Sequence, residues 1–197
     1  EWFVDPGEHP ETVLDFVRQA SHPIVAREHH AVREAVGVID MSLMAKLLVQ
    51  GPHAGAVLNR LSANDVDREV GRVVYTQWLD VRGGIVADVT VTKLADDRFV
   101  VISSDVTHRL IEPRVRRETR EDEFVAVTDI TSASTLMSVQ GPRSRELLAR
   151  LTDADLSNAA FPYLTAQHIH VGYAPVLAAR VTYVGELGWE LYVPIEQ

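Results

Sequence analysis

Two short runs place carboxylates where they could do chemistry. The first reads Gly83-Gly84-Ile85-Val86-Ala87-Asp88-Val89-Thr90-Val91, a Gly-Gly turn leading into an apolar strand that one aspartate interrupts. Carboxylates are rarely buried unless paired or hydrogen-bonded. Asp88 is therefore either held for a ligand or turned to solvent by strand alternation, and both readings stay open at this level. Thr90 and Thr92 fall on its side of the strand and would extend a polar stripe. The second run spans Arg180 to Glu190, with Gly185 and Gly188 around Glu186. Read as a tight turn between two strands, it projects Glu186 outward beside Tyr183. A carboxylate accepting two N–H groups next to an aromatic ring suits a flat heterocycle. An ordinary exposed hairpin glutamate is the commoner alternative. Tyr75-Thr76-Gln77-Trp78 is a third aromatic run, of a kind that more often packs in a core or across strands than against a ligand.

Other chemistries find no support in the residues. The chain has 8 histidines; His168 and His170 share a strand face, but no third ligand stands at a recognisable spacing, so no metal site is expected. There are no cysteines, which removes disulfides, thiolate ligands and cysteine nucleophiles, and fits a cytoplasmic location. Gly-x-Gly-x-x-Gly, Walker and Gly-x-Ser-x-Gly patterns are all missing, so this chain is not expected to hold a flavin or nucleotide itself. With 28 acidic against 19 basic residues the net charge is −9, unfavourable for nucleic acid or an anionic membrane. The basic run Arg109–Arg120 is interleaved with acids and reads as a solvated helix face. No apolar run approaches the ~20 residues of a membrane helix.

The elements that must position these residues occur twice. Residues 36–103 align with residues 125–193: Val38-Ile39-Asp40-Met41-Ser42 and Val127-Thr128-Asp129-Ile130-Thr131 are each followed by a strand ending Val-Gln-Gly-Pro, at 49–52 and 139–142. Amphipathic helices follow, carried by Ala54, Val57, Leu58 and Leu61 and by Leu147, Leu148 and Leu151. Strands are expected over 72–79, 85–93 and 98–102, and again over 167–172, 176–184 and 189–193. Each unit thus reads strand-helix-strand-strand-strand, an α+β fold of antiparallel sheets backed by helices. A duplicated unit can bring its two copies together around a binding site at their seam. Further helices are expected over 24–36, with Val25, His29, Val32 and Val36 on one face, and over 106–118, kinked at Pro113. Residues 1–30 read as a lead or linker, acidic and Pro/Gly-punctuated over its first 20 residues, where Trp2 and Phe3 could dock on a neighbour.

The strings themselves go further. Ala31–Ser42, Tyr75–Leu79 with Gly83–Asp88, Ser138–Leu148, Asp155–Asn158 and Thr182–Pro194 resemble, in order, the glycine-cleavage T-protein (aminomethyltransferase) family. They look most like the folate-binding module of the branch fused to flavin-dependent dimethylglycine and sarcosine dehydrogenases. The resemblance implies a cloverleaf of α+β subdomains around a tetrahydrofolate site. It implies capture of an imine or aminomethyl carbon from a methylated glycine to give 5,10-methylenetetrahydrofolate. Asp88 would be the catalytic residue, with Tyr75, Thr90, Tyr183 and Glu186 holding the folate and Glu186 on the pterin N–H groups. FAD would belong to a neighbouring dehydrogenase domain or subunit, the implied partner. Two departures stand out: Ala87-Asp88 replaces the Asp-Asp of the transferase branch, and residues 101–107 lack the family's asparagine. No initiator methionine is present, and the later arginine-bearing segment and closing barrel of the family are not found, so a fragment is expected. A non-catalytic folate-binding or interaction module is the alternative.

Overall fold

The computed structural model of the chain describes Gly7 and residues 16–197. The expected docking residues Trp2 and Phe3 lie outside that set. In the first repeat, strands β1 (Gly37–Asp40) and β2 (Ala45–Gln50) precede helix α2 (Ala54–Leu61), followed by β3 (Val73–Leu79), β4 (Ile85–Ala95) and β5 (Arg98–Ser103). The second repeats this order with β6 (Ala126–Asp129), β7 (Ser134–Gln140), α4 (Ser144–Leu148), β8 (Ala166–Val171), β9 (Ala174–Ala179) and β10 (Gly188–Pro194). Helix α1 (His22–Glu34) leads into the first repeat, across the expected boundary at residue 30, and α3 (His108–Glu118) joins the two. Helix α1 buries Ile24 and leaves Val25 exposed, unlike the face expected from sequence. Helix α3 continues through Pro113. None of the helices among the described residues is long and apolar enough to cross a membrane.

Each unit contains one strand more than its sequence pattern indicated, and that strand is exchanged. The two antiparallel sheets run β3-β4-β5-β2-β6 and β8-β9-β10-β7-β1. The opening strand of each repeat therefore completes the other repeat's sheet: β1 pairs with β7, and β6 with β2. The duplicated Asp-x-Ser/Thr residues close this exchange. Asp40 and Asp129 each accept the backbone N–H two residues on, at 2.9 Å. Ser42 Oγ then accepts the Leu136 N–H, and Thr131 Oγ1 the Lys46 N–H, both at 3.0 Å. Lys46, fully buried, donates to the carbonyls of Ser42, Met44 and Thr131, so one ammonium ties both crossover turns together. Burial pushes the Lys46 pKa down, against the pull of Asp129 and Asp40.

The repeated Gln-Gly-Pro has the same origin. Gly51 and Gly141 take φ of +134° and +131°. A Cβ on Gly51 would meet the Phe124 carbonyl at 2.4 Å, and one on Gly141 the Ala35 carbonyl at 2.5 Å. Each glycine lies where the incoming exchanged strand crosses over it, a close approach only glycine allows.

Strand alternation sorts the core into layers. Ala87, Val89 and Val91 of β4 pack with Leu58 of α2 and with Ile111 and Val115 of α3 on one outer face. Trp189, Val176 and Ile169 pack with Leu148 of α4 on the other. The inner faces meet through Val100, Ile102 and Leu136, and through Val73, Ala179 and Val181. The order is helix, sheet, sheet, helix. The sheet edges also touch: Val73 N–H bonds the Leu164 carbonyl and Ala166 N–H the Gly71 carbonyl, which closes one side of the space between the sheets.

Strand β9 stops at Ala179, five residues short of the expected 176–184. The Arg180 backbone bonds instead to Leu164 and Thr165, so the chain leaves the sheet there. Residues 180–187 form an irregular loop rather than a tight hairpin, with Gly185 at φ +84°.

Candidate functional site between the repeats

A cavity of about 610 Å³ opens between the inner faces of the two sheets. The first repeat lines it with Met41, Met44, Tyr75, Asp88 and Thr90, the second with Leu136, Tyr163, Val181, Tyr183 and Glu190. The seam between the copies is thus a concave, mainly apolar space with a few polar groups, the usual form of a small-molecule site.

Alternation along β4 turns Asp88 away from the helix-covered face and onto this inner wall, where it is exposed. Solvent orientation and a ligand-facing position are the same thing here. Strand β3 supplies a donor to each carboxylate oxygen: Tyr75 OH to Oδ2 at 2.8 Å and Gln77 Nε2 to Oδ1 at 2.9 Å. Gln77 lies directly opposite Asp88 in register, and Tyr75 opposite Thr90. The bond to Asp88 raises the Tyr75 phenol pKa above its ordinary value. Tyr75 is 54% exposed, a rim residue rather than a core one.

Of the sequence-selected residues, Asp88, Tyr75, Thr90 and Tyr183 all reach the cavity; Glu186 is not among its lining residues. Glu186 Oε1 accepts Arg33 Nη1 of α1 at 2.6 Å and ties the 180–187 loop to that helix. Its neighbour in sequence, Glu190, takes the interior position. It is 9% exposed on β10, and its carboxylate accepts the Tyr192 hydroxyl at 2.8 Å, with no ion-paired cation among the described residues. Burial pushes its pKa up, only partly offset by the Tyr192 bond. A buried carboxylate with one neutral donor is a poorly satisfied group, and a ligand bearing N–H donors would complete it. The signal for Glu190 was present in sequence, since Trp-Glu-Leu-Tyr-Val is an apolar strand broken by a single acid, as around Asp88.

Tyr163 also escaped sequence reading. It sits at the cavity 52% exposed, so Tyr75, Tyr163 and Tyr183 together give the space an aromatic rim. Leu164 beside it has φ +60°, the only positive φ of a non-glycine residue described. Its N–H is held by the Arg180 carbonyl and its own carbonyl by Val73 N–H, so the sheet-edge closure sustains a strained residue in the cavity wall.

The donor set suits a flat, N–H-rich ring with a basic amine. Two carboxylates, one from each repeat, accept; aromatic faces stack; the described residues form no cluster able to hold a metal. The fold is an α+β domain of two exchanged antiparallel sheets with a small-molecule cavity at their seam. The whole chain, residues 1–197, matches the GCVT N-terminal domain family model, and it belongs to that family. It is 37% identical over 191 residues to a 4-methylaminobutanoate oxidase (formaldehyde-forming) of Paenarthrobacter nicotinovorans, covering 97% of this chain and 23% of that protein. It is 33% identical to a mitochondrial dimethylglycine dehydrogenase of Mus musculus, over 97% of this chain and 22% of the relative. The glycine cleavage system aminomethyltransferase T from Bartonella henselae superposes with a TM-score of 0.75 at 26% identity, over 87% of this chain and 45% of that one. The chain thus spans under a quarter of the length of the two curated relatives.

Proposed function

We propose that the cavity binds a reduced folate and that the chain acts in one-carbon transfer, giving 5,10-methylenetetrahydrofolate from an imine or aminomethyl carbon of an N-methylated glycine. The observation that carries this reading is the convergence of Asp88 and Glu190, from opposite repeats, on one aromatic-rimmed cavity. Glu190 accepts the pterin amino and ring N–H groups, which supply the donors its buried carboxylate lacks. Tyr75, Tyr163 and Tyr183 flank the rings, and Thr90 adds a hydroxyl beside them. Asp88 takes the folate amine N–H, orients its lone pair toward the electrophilic carbon and stabilises the cationic charge that develops as the new N–C bond forms. As this first folate nitrogen adds to the imine carbon, the C=N π pair returns to the donor nitrogen. The donor amine then leaves with the electron pair of its remaining C–N bond while the second folate nitrogen bonds the same carbon, and the two folate N–H protons depart with the amine. Tyr75 and Gln77 hold both oxygens of Asp88 through this step. The electrophilic carbon is supplied by a flavin-dependent dehydrogenase domain or subunit, whose FAD lies outside this chain.

Calorimetric titration with folinic acid tests the binding half of the proposal. Saturable binding is expected, weakened strongly by Glu190→Gln and little by Glu186→Gln. Binding indifferent to Glu190→Gln would reject the cavity as the folate site.

A further inference from the structure

Three of the strings that carry the family resemblance, around Arg145, Asn158 and Trp189, converge where the cavity does not reach. Glu190 faces the cavity, so its neighbour Trp189 faces the other side of the sheet, among Leu148, Leu156 and Phe161. Two guanidinium groups lie over its indole, Arg145 with its carbon 5.8 Å from the ring centroid and Arg180 at 5.6 Å. Both donate to one neutral acceptor, Asn158 Oδ1, from Arg145 Nη2 at 2.6 Å and Arg180 Nη2 at 2.8 Å. Arg180 also donates to the Phe161 carbonyl at 2.6 Å.

Neither arginine forms an ion pair among the described residues. Burial, and then the charge of Arg145, disfavour the Arg180 cation, as expected of a locally positive site. Arg145 Nε and Trp189 Nε1 are buried donors with no acceptor among the described residues. Asp155, in the wall of the cleft beside Arg145, accepts the Ser157 N–H at 2.8 Å and is held below its ordinary pKa first by Ser157 and only last by Arg145. Two guanidinium groups stand against the one Asp155 carboxylate in the lining, and beside Arg145 a cleft of about 480 Å³ opens between α4 and the 154–158 turn, with Asp155, Ser157 and Asn158 in its wall.

We propose that this cleft is an oxyanion-binding site, separate from the cavity between the sheets, taking the carboxylate or phosphate group of a small ligand. Arg145 is its principal donor: its guanidinium, lying over Trp189, offers Nη1 and the remaining Nη2 hydrogen to two oxygens of such a group. Arg180 and Asn158 hold Arg145 in place, and Arg180 adds to the positive potential. The incoming anion supplies the second negative charge that two guanidinium groups beside the Asp155 carboxylate can accommodate.

The test is titration of this chain with sodium phosphate and, separately, sodium acetate, each against sodium chloride at matched ionic strength. The readouts are the Trp189 indole N–H resonance and calorimetric heat. Saturable binding is expected with phosphate, acetate or both, and which anion binds tighter identifies the group. Arg145→Gln should weaken it about tenfold or more, the loss of a charge-assisted fork. Arg143→Gln, which removes a neighbouring exposed arginine paired with Glu146, should leave it unchanged and controls for net charge. A response no larger than that of chloride, or equal weakening by the two variants, would overturn the site. The amide spectrum of β7 and β10 shows whether Arg145→Gln keeps the fold. If it does not, Arg145→Lys, which keeps the charge and loses the fork, replaces it, and binding at parent strength in that variant counts against the proposal.

Discussion

The two repeats share a scaffold and differ in how each presents its carboxylate. In the first, Asp88 stands exposed on a long strand, with a donor from β3 on each oxygen. In the second, Glu190 is buried on β10 with one tyrosine hydroxyl. Tyrosine is the partner in both, at 2.8 Å. The duplication has therefore kept the frame and divided the carboxylates: one accessible and held on both oxygens, which the proposed function gives to the reacting amine, and one interior and under-satisfied, which it gives to the N–H groups of the ligand.

The sharpest way to break that division is Asp88→Asn, assayed together with the flavin-dependent dehydrogenase domain or subunit that the proposed function requires. Transfer should fall by about 10²–10³-fold, the scale of losing one preorganised electrostatic partner, while folinic acid affinity changes little. Turnover within a few-fold of the parent would remove Asp88 from the reaction.

Glu190→Gln should act the other way, weakening folinic acid by roughly tenfold to a hundredfold, the range for a hydrogen bond to a charged group. It should also stabilise the ligand-free chain. The folded pKa of Glu190 is raised, so its favourable contribution is complete below the ordinary glutamate pKa and is lost as pH rises through the folded value. At neutral pH the parent carries that loss and the variant does not. Thermal melts across this pH range check the sign, and a variant less stable than the parent at neutral pH would contradict it.

The exchanged strands offer the next test. Gly141→Ala and Gly51→Ala should each destabilise by about 1–3 kcal/mol, through positive φ and contact with the crossing strand. At Gly172, φ is +58° but a Cβ would meet nothing within 4 Å, so Gly172→Ala should cost less. Equal denaturation midpoints for all three would mean that the crossover is looser than it looks.

Acid titration contrasts a second pair of groups. Arg60 grips both oxygens of Glu123 at 2.8 and 2.6 Å and lowers its pKa to about 2. Stability from this pair is present above the ordinary glutamate range and lost as pH falls through about 2, the reverse of Glu190. Glu123→Gln should flatten the acid limb of a stability profile, and an unchanged limb would assign acid unfolding to other carboxylates. The smallest effect belongs to Glu186→Gln. Breaking its ion pair with a 62%-exposed Arg33 should cost at most about 1 kcal/mol and leave folinic acid affinity within a factor of two or so. A loss matching that of Glu190→Gln would return the pterin anchor to the loop.

Much of this was legible in the chain itself. Alternation and turn residues located the helices and nearly every strand, because those signals are local. Asp88 was visible as one acid in an apolar run. The same signal at Glu190 was overshadowed by the glycines around Glu186, whose spacing imitates a hairpin. The error lay in extending β9 past Ala179. Its end is set by backbone bonds from Arg180 to residues 164 and 165, which no pattern within 176–190 contains.

By itself the sequence determined the duplication, the α+β class, the family and the first carboxylate, all properties of short strings and their order. The tertiary structure decided which sheet β1 and β6 complete, because Asp-x-Ser/Thr and Gln-Gly-Pro are only repeated strings until the partner strand crosses them. It also decided which glutamate enters the cavity. Burial belongs to the packing of two sheets against each other, and four residues along one chain were enough to carry one carboxylate to an arginine on α1 and the other into the interior.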